Sequence, residues 1–374
     1  MDKKTVLHIN GNYAGNQVHK IIAEKISDMG YFQHIYVPVR AKTLIGNNEI
    51  KKDNVSIKYD YALNKTDRLL YFKKIRKLTR RVKKLFDIEK LDHIHCHTLF
   101  SDGGVGYKLF KKYNIPYTLS IRNTDIGFFK YFKCLTPFAK KILINAKKIV
   151  VLTPTLRQKL YKNLDEKTIS VIDKKVVIIP NPIADFWFEQ KLKEKKEDKN
   201  KVKLVQIGQL SKNKNNISVL KAINSMIKDK KQISYTIMGN GPIEDELKDY
   251  VKENKLTDYV NFTGYIKDKE KIQKYLLEND IFIMPSKSET FGLVYIEAMS
   301  QGLPVIYTKG QGIDGLFESQ VGYGVDPEDI QGIIEAIGKI YNNYQILSKN
   351  AINQAKRLTA SNIAKRYIDV WEQR

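Results

Sequence analysis

Residues 280–302 constrain the fold of this chain more than any other stretch. Residues 280–285 form an apolar run that ends in a proline, which is typical of a buried strand. Residues 292–300 have the apolar spacing of a helix, and Gly302 supplies its stop signal. A buried strand, a short loop and a helix in this order predict one unit of a doubly wound α/β sheet.

The loop between this strand and this helix has the composition of a ligand site. Glu289 lies in the loop, at the carboxyl end of the strand, and Gly292 stands where the helix begins. The first turn of a helix offers free N–H groups to an anion, and a residue without a Cβ lets a phosphate approach. Glu297, about one and a half turns into the helix, suits hydroxyl donors such as a ribose diol. The segment therefore fits a nucleotide-sugar, and the alternative is two solvated acids on a surface turn.

The spacing Glu289-x7-Glu297, with Phe291, Gly292 and Leu293 inside it, resembles the motif of the retaining GT-B glycosyltransferases of family 4. The resemblance implies that Glu289 contacts the donor sugar, that Glu297 holds the ribose, and that the intervening amides hold the diphosphate. It also implies a fold of two Rossmann-like doubly wound domains facing a cleft, the second binding the nucleotide-sugar and the first the acceptor.

A loop that begins at Gly208 resembles the phosphate loop G-R-L-x-x-x-K-G of the same family. Lys214 falls on the phosphate lysine, but Gln209 stands where arginine is usual and Asn215 where glycine is usual. The loss of that arginine removes a bidentate phosphate donor, which implies weaker donor affinity or a compensating cation such as Arg122. The alternative is that Lys214 is a surface lysine without a ligand.

Two further turns belong to the same half of the chain. Residues 239–242 match the G-x-G-P turn of the family, whose glycines permit a sharp bend and whose proline opens a helix. Gly264 is followed by Tyr265, and in the family the residues after this glycine pack against the nucleobase. Tyr265 is therefore predicted either to stack on a base or to lie in the core.

The first residues repeat the strand–loop–helix pattern. Residues 5–10 predict a strand, residues 11–16 a glycine-bearing loop, and residues 17–29 a helix, which is the start of a doubly wound domain. The family usually has two adjacent glycines in this loop, whereas Gly15 stands alone here. Gly15 is a candidate for acceptor binding, and a plain tight turn is the alternative.

Polar residues end two more predicted strands. His93, His95 and His97 lie on one face by the period of two, which is compatible with a metal site. Adjacent positions of one strand face rarely converge on one ion, so His97 is expected to line the acceptor side instead.

After the next strand come Arg122, Asn123 and Asp125, all candidates for the acceptor site. The family commonly has a histidine at about the place of Arg122. A guanidinium there suggests a catalytic contact to an anionic acceptor or to the donor diphosphate. Alternatively, Asp125 caps the next helix and Arg122 forms a surface ion pair.

The net charge of +24 is unevenly distributed along the 374 residues. Residues 203–374 contain 23 Lys and Arg against 21 Asp and Glu, and the remainder contains 42 against 20. Residues 67–86 predict a basic amphipathic helix, and in residues 128–133 aromatic residues alternate with lysines. These stretches suggest docking on an anionic membrane surface. The alternatives are a solvated surface helix, and aromatic residues that stack on nucleic-acid bases.

The chain length suits two domains. The predicted boundaries are an acceptor-binding domain over 1–185, a linker over 186–202, a nucleotide-sugar domain over 203–357, and a final helix over 358–374 that crosses back to the first domain. Without a long apolar run or a signal-like start, the chain is expected to be cytoplasmic and peripherally bound to the inner face of the membrane. Cys96 and Cys134 indicate neither a disulfide framework nor a zinc site.

The predicted reaction is glycosyl transfer with retention, from a nucleotide-sugar, predicted to be a UDP-sugar, to a lipid-linked oligosaccharide or surface polysaccharide. Lys214 and the amides of 291–293 would stabilise the negative charge that develops on the leaving diphosphate. No Asp-x-Asp motif stands in a suitable place, so no metal and no cofactor are expected. The rival from another class is a basic, non-catalytic protein that binds nucleic acid and keeps a vestigial GT-B site. The sequence contains no recognised nucleic-acid-binding motif, and nucleic acid is not expected as a partner. A GT-B epimerase or phosphorylase is the closer enzymatic rival.

Overall fold

The computed structural model describes residues 4–189 and 201–372. The chain divides into two compact units, of which the first contains Met1–Pro182 and Ala360–Arg374 and the second contains Ile183–Thr359. The division after Pro182 has a physical cause, because Ile183 pairs with Thr359 in a parallel bridge within the second unit. Of the predicted linker, residues 190–200 lie outside the described residues. Asp185–Phe188 forms a short 3-10 turn whose Trp187 side chain is buried.

The first unit is built on a seven-stranded sheet in which every pair of neighbours is parallel. Its strands are β1 Thr5–Ile9, β2 Phe32–Val39, β3 Val55–Tyr61, β4 His93–Cys96, β5 Tyr117–Ser120, β6 Lys148–Val151 and β7 Val176–Ile178. Its helices are α1 Gln17–Asp28, α2 Tyr71–Leu85, α3 Ser101–Tyr113, α4 Asn123–Tyr131, α5 Thr136–Asn145, α6 Pro154–Tyr161 and α7 Glu166–Ile172. The strand order β3-β2-β1-β4-β5-β6-β7 reverses between β1 and β4.

The second unit repeats this plan with six parallel strands. The strands are β8 Val202–Ile207, β9 Ile233–Met238, β10 Val260–Gly264, β11 Ile281–Ile283, β12 Val305–Thr308 and β13 Gly322–Val325. The helices are α8 Asn216–Lys228, α9 Glu244–Glu253, α10 Lys269–Glu278, α11 Leu293–Ser300, α12 Ile330–Asn342 and α13 Tyr344–Lys356. The order β10-β9-β8-β11-β12-β13 reverses between β8 and β11. Two doubly wound α/β domains, the predicted fold class, are thereby confirmed.

The last helix, α14 Ala360–Glu372, belongs to the first unit. Tyr367, Val370 and Trp371 are buried there, and α14 packs against α1. Burial of these three large side chains accounts for the return of the chain to the first unit, since each removes apolar surface from water.

The basic helix differs from its prediction in start and in packing. It begins at Tyr71 rather than at residue 67, because residues 64–68 form a separate turn in which the Asp67 carboxylate accepts from the Asn64 N–H at 2.7 Å. One stripe of its apolar side chains, Tyr71, Ile75, Leu78 and Val82, is buried in the core of the first unit. That stripe is therefore not available to a bilayer, whereas the basic face of α2 stays at the surface.

The aromatic residues of 128–133 are also largely taken up by packing. Phe129 is buried, and Phe128 stacks between Phe100 and Phe132. Tyr131 is the exception, with 75% of its surface exposed. Within residues 4–189 and 201–372, no helix has the length and hydrophobicity that crossing a bilayer requires.

Candidate active site

The reversal points of the two sheets decide where ligand sites are expected. In open parallel sheets, ligands bind beyond the carboxyl ends of the strands where the strand order reverses. In the second unit this point lies between β8 and β11, and it is where the loops that carry Lys214 and Glu289 emerge. In the first unit it lies between β1 and β4, next to His97.

The two loops of the second unit are joined by reciprocal hydrogen bonds. Asn213 donates its side-chain amide to the Ser288 carbonyl at 2.9 Å, and its amide oxygen accepts from the Ser288 N–H at 3.0 Å. The Lys287 N–H donates to the Asn213 carbonyl at 2.8 Å. Lys214 and Glu289, the neighbours of these residues in sequence, are held in place by this network.

The structure brings Lys214 and Glu289 into direct contact. The Lys214 Nζ lies 2.7 Å from the Glu289 Oε2, and the side chains are only 23% and 13% exposed. Gln311 fixes the backbone beside them, because its Oε1 accepts from the Glu289 N–H at 2.9 Å and its amide donates to the Lys287 carbonyl at 2.8 Å. A partly shielded ammonium thus stands at the reversal point of the sheet, paired with the Glu289 carboxylate.

Two positions in these loops require a left-handed backbone. Gly292 has φ of 80°, and a Cβ there would come within 2.4 Å of the Tyr295 ring. Glycine is therefore required in front of α11, while the Phe291 side chain is buried and Leu293 begins the helix. Asn215, which stands where the family has glycine, has φ of 57°. Asparagine tolerates this conformation, and its amide donates to the Pro285 and Pro327 carbonyls, so the departure from the motif keeps the same turn.

Glu297 lies on α11 beside Trp187. Burial raises the pKa of the Glu297 carboxyl to about 7, while the Lys269 charge and a hydrogen bond from the Trp187 side chain act in the opposite direction. Trp187 is itself fixed, because its carbonyl accepts from the Gln301 side chain at 2.7 Å. Glu297 is thus a carboxyl group that changes charge near neutral pH.

A cavity of about 320 Å³ adjoins the phosphate loop. Its lining includes the predicted donor residues Gly208, Gln209 and Tyr265, with apolar side chains such as Ile266 and Ile272. Gly264, just before Tyr265, has φ of 69°. Tyr265 is 69% exposed, which removes the core alternative and leaves its ring free to meet a base.

The histidines of the first unit form one buried cluster. His97 Nε2 lies 3.2 Å from His8 Nδ1, and the rings of His95 and His97 are 4.5 Å apart, edge to face. Burial lowers the pKa of His8 and of His93 to about 3, and it holds the pKa values of His95 and His97 well below the usual range. The rings are therefore neutral at physiological pH. Among the described residues, no group of three or more His, Cys, Asp or Glu side chains is arranged to hold a metal ion.

Arg122 emerges from β5 next to this cluster. Its Nε donates to the His97 carbonyl and its Nη1 to the Asn181 side chain, both at 3.4 Å. Its Nη2 is buried and has no hydrogen-bond partner among the described residues. Within residues 4–189 and 201–372 Arg122 forms no surface ion pair, and one guanidinium nitrogen is left for a ligand.

The other first-unit candidates differ in what they offer. Both carboxylate oxygens of Asp125 accept from backbone N–H groups, one from Leu99 and one from Arg122, so this buried residue fixes the turn that carries Arg122. Asn123 is half-buried in the first turn of α4. Gly15 is exposed, and a Cβ there would meet nothing within 4 Å, so the backbone does not require glycine.

Some residues of these sites carried no recognisable motif. Trp187 lies more than a hundred positions from Glu297, and no periodicity links them. Lys74 is buried on α2 although it is a lysine, and the signal for this was its place among the apolar residues Tyr71, Ile75 and Leu78. A cation at an apolar position of an amphipathic helix marks a buried charge.

Two family descriptions match the chain. Residues 19–185 match "Glycosyltransferase Family 4", and residues 188–358 match "Glycosyl transferases group 1". The two matches correspond closely to the two structural units and leave residues 1–18, 186–187 and 359–374 uncovered.

Individual proteins agree with these matches. The chain is 25% identical over 328 residues to alpha-monoglucosyldiacylglycerol synthase of Acholeplasma laidlawii, across 81% of this chain and 80% of that protein. Its fold resembles that of the lipopolysaccharide outer core galactosyltransferase WaaB, with a TM-score of 0.74, 13% identity and 98% of both chains covered. It also resembles Anabaena HepE in complex with UDP and glucose, with a TM-score of 0.66, 14% identity and coverage of 99% and 100%.

Proposed function

The chain belongs to the GT-B glycosyltransferases, and we propose that it transfers a sugar with retention from a UDP-sugar to a lipid-linked or polysaccharide acceptor at a membrane, without a metal. The observation that carries the proposal is the pair of Lys214 and Glu289, 2.7 Å apart at the reversal point of the second sheet. Next to it stands the N-terminus of α11, which a glycine precedes.

The donor would occupy the second unit. Lys214 and the first-turn amides of α11 suit the diphosphate, because they offer positive charge and free donors. Glu297 suits the ribose diol, and the cavity beside Tyr265 suits the base. The HepE structure was determined with UDP and glucose, which favours a uridine nucleotide here.

The bond changes follow from retention. The bond between the sugar C1 and the diphosphate oxygen breaks, and a bond from the acceptor oxygen to C1 forms on the same face. The acceptor proton passes to an oxygen of the departing diphosphate, so no separate base is needed. Lys214 lowers the barrier by stabilising the charge that develops on that leaving group, and Glu289 orients the sugar through its hydroxyls.

The acceptor would bind the first unit. Relatives of the chain are named for glycolipid synthesis and for lipopolysaccharide core assembly, and both acceptors reside at membranes. The basic face of α2, formed by Lys73, Arg76, Lys77 and Arg80, lines an open groove of about 530 Å³. Each of these charges contributes on the order of 1 kcal/mol at an anionic surface.

The apolar part of this contact would not be the buried stripe of α2. Two other apolar side chains are available: Leu69, two residues before α2, is 81% exposed, and Phe72, in the first turn of α2, is 53% exposed. A triple variant, Lys73→Gln, Arg76→Gln and Arg80→Gln, should lose most binding to vesicles with anionic lipid. A matched triple in the second unit, Lys221→Gln, Lys228→Gln and Lys231→Gln, should retain it. Equal binding to neutral and anionic vesicles would remove the electrostatic argument.

The donor assignment is tested with a panel of UDP-, GDP- and ADP-sugars, each with and without EDTA. Thermal stabilisation and slow donor hydrolysis report donor use, and NMR of the transferred sugar reports its anomeric configuration. A single UDP-sugar used equally in EDTA, with the configuration retained, is expected. Inversion would refute retention, and loss of turnover in EDTA would refute metal independence.

A further inference from the structure

A second cavity of the first unit is not accounted for by any motif. It has a volume of about 140 Å³ and lies beyond the carboxyl ends of β1, β2 and β4. Three charged side chains, Arg40, Lys74 and Asp102, share its walls with Ser101 and the loop at Gly11. This is the sheet edge at which doubly wound domains bind their ligands.

Lys74 brings a positive charge into this cavity at a high cost in desolvation. The residue is only 4% exposed, and burial lowers the pKa of its ammonium, an effect that nearby Arg40 increases and Asp102 opposes. Its Nζ donates to the Ser101 hydroxyl at 2.8 Å. An ammonium has three donors, so one neutral acceptor leaves most of its capacity for an anion.

Asp102 stands in the first turn of α3, opposite the lysine. It is 1% exposed, and its Oδ2 has no hydrogen-bond partner among the described residues. Burial raises the pKa of this carboxyl to about 7, although Thr98 and the Gly11 backbone hydrogen-bond to it. A buried polar oxygen without a partner has lost its hydration without replacement, and a ligand hydroxyl would restore a hydrogen bond to it.

A pair that served folding alone would be arranged differently. Two opposite charges buried together stabilise a fold only when they bond each other and satisfy their remaining donors and acceptors. Here the carboxylate Oδ2 has no partner, the ammonium bonds a hydroxyl instead, and a third charge from exposed Arg40 reaches the same space. The arrangement has the features of a binding site in which a ligand completes the bonding.

We propose that this cavity binds a phosphate that carries a hydroxyl group, with the phosphate on Lys74 and Arg40 and the hydroxyl on Asp102 Oδ2. Under the proposed function, the hydroxyl-bearing phosphate is the headgroup of the acceptor. Only its identification with the acceptor rests on the proposed function. A phospho-polyol of this kind occurs free or as a lipid headgroup. Binding to the cavity itself needs neither a donor nor catalysis.

Glycerol 3-phosphate is the probe, titrated by calorimetry into the full chain without any donor. Arg40→Gln removes an exposed charge from the cavity wall and should weaken the affinity at least tenfold. Lys111→Gln removes an exposed charge from the far end of α3 and should change it less than twofold. Equal affinities for the two variants would overturn the proposal, and because both sites are exposed, neither result depends on a core substitution.

Asp102→Asn tests the hydroxyl contact separately. The wild type should prefer glycerol 3-phosphate to inorganic phosphate severalfold, and the variant should lose this preference while still binding phosphate. An unchanged ratio would refute the role of Asp102. Lys74→Met should abolish binding of both glycerol 3-phosphate and inorganic phosphate. The melting temperature of this variant checks that it is folded.

A parallel arm with phosphatidylglycerol vesicles identifies the source of the headgroup. Vesicle binding that depends on Arg40 and is displaced by glycerol 3-phosphate would support a lipid ligand. If Arg40→Gln weakens binding of free glycerol 3-phosphate but not of vesicles, the ligand is a soluble compound. If the variant changes neither kind of binding, the proposal is overturned. If the protein binds glycerol 3-phosphate as expected but uses no nucleotide-sugar, the assignment of this cavity as a binding site is supported and the proposed function is refuted. If it uses a nucleotide-sugar but the cavity variants do not change glycerol 3-phosphate binding, only the assignment of the cavity is refuted.

Discussion

The carboxyl edges of the two parallel sheets are built in different ways. In the second unit the edge is made of loops whose backbone is fixed by glycine, asparagine and reciprocal hydrogen bonds, with a partly shielded ion pair between Lys214 and Glu289. In the first unit the edge is made of buried and half-buried side chains, and among the described residues Arg122 and Asp102 have polar atoms without hydrogen-bond partners. Backbone-built sites need particular residues at fixed spacing, whereas side-chain sites can be assembled from distant elements.

The distribution of histidine separates the units further. All six histidines of the chain lie in the first unit, and burial lowers the pKa of each. The second unit has none. The two units are therefore expected to respond differently to acid.

The largest expected effect is acid unfolding of the first unit alone. The native state keeps these histidines neutral while the unfolded chain takes up protons below pH 6.5. The stability they contribute is therefore present above 6.5 and is lost as the pH falls toward about 3. Each contributes up to about 1.4 kcal/mol per pH unit. Asp102 and Asp125, with pKa values raised to about 7 and about 6, act oppositely but are fewer.

The chain has two tryptophans, and they report on different units: Trp371 on the first and Trp187 on the second. Fluorescence of the Trp187→Phe variant should show the Trp371 transition at a higher pH than the Trp187 transition in Trp371→Phe. Coincident transitions would mean that the histidine cluster does not set the acid stability of its unit.

Glu289→Gln should have the next largest effect. It removes the charge that faces Lys214 and the contact to the sugar, so transfer should fall on the order of 10²-fold. UDP binding should persist, because the phosphate contacts remain. Glu328→Gln is the control, since Glu328 is an exposed acid that pairs with Lys287, two residues before Glu289. Equal transfer rates in the two variants would remove Glu289 from the site.

Arg122→Gln tests the corresponding role of a first-unit residue in acceptor binding. Loss of a charge-assisted hydrogen bond of about 1.5–3 kcal/mol should lower kcat/KM for the acceptor roughly tenfold to a hundredfold. The KM for the donor should stay the same. Arg122→Lys keeps the charge but not the forked geometry and should recover only part of the loss. A change confined to the donor KM would instead place Arg122 on the diphosphate.

The smallest expected effect concerns Trp187 and Glu297. Above pH 7 the Glu297 carboxyl is ionised and accepts better from the ribose, so the donor KM should fall as pH rises through about 7. Trp187→Phe removes a hydrogen bond that favours the ionised form, which should move this midpoint upward and raise the KM about threefold to tenfold. A profile identical to that of the wild type would deny Trp187 this positioning role.

The sequence was most informative where the backbone is constrained. Gly292 and Gly302 stand at positive φ on either side of α11, so the strand, turn and helix could be located from residue types alone. The same reasoning located α2 but left the burial of its apolar stripe open, since such a stripe does not show whether lipid or protein covers it. Asp102 and Trp187 could not be found, because their partners are brought to them by packing between distant elements.

The assignment of the donor to the second unit is the central claim, and UDP binding in EDTA tests it most directly. Calorimetric titration of the wild type, Lys214→Met and Lys212→Met compares the proposed phosphate lysine with an exposed lysine two residues away. Wild type and Lys212→Met should bind UDP with affinities within twofold, and Lys214→Met should bind at least tenfold more weakly. Absence of binding to the wild type, or equal affinity in all three proteins, would contradict the account.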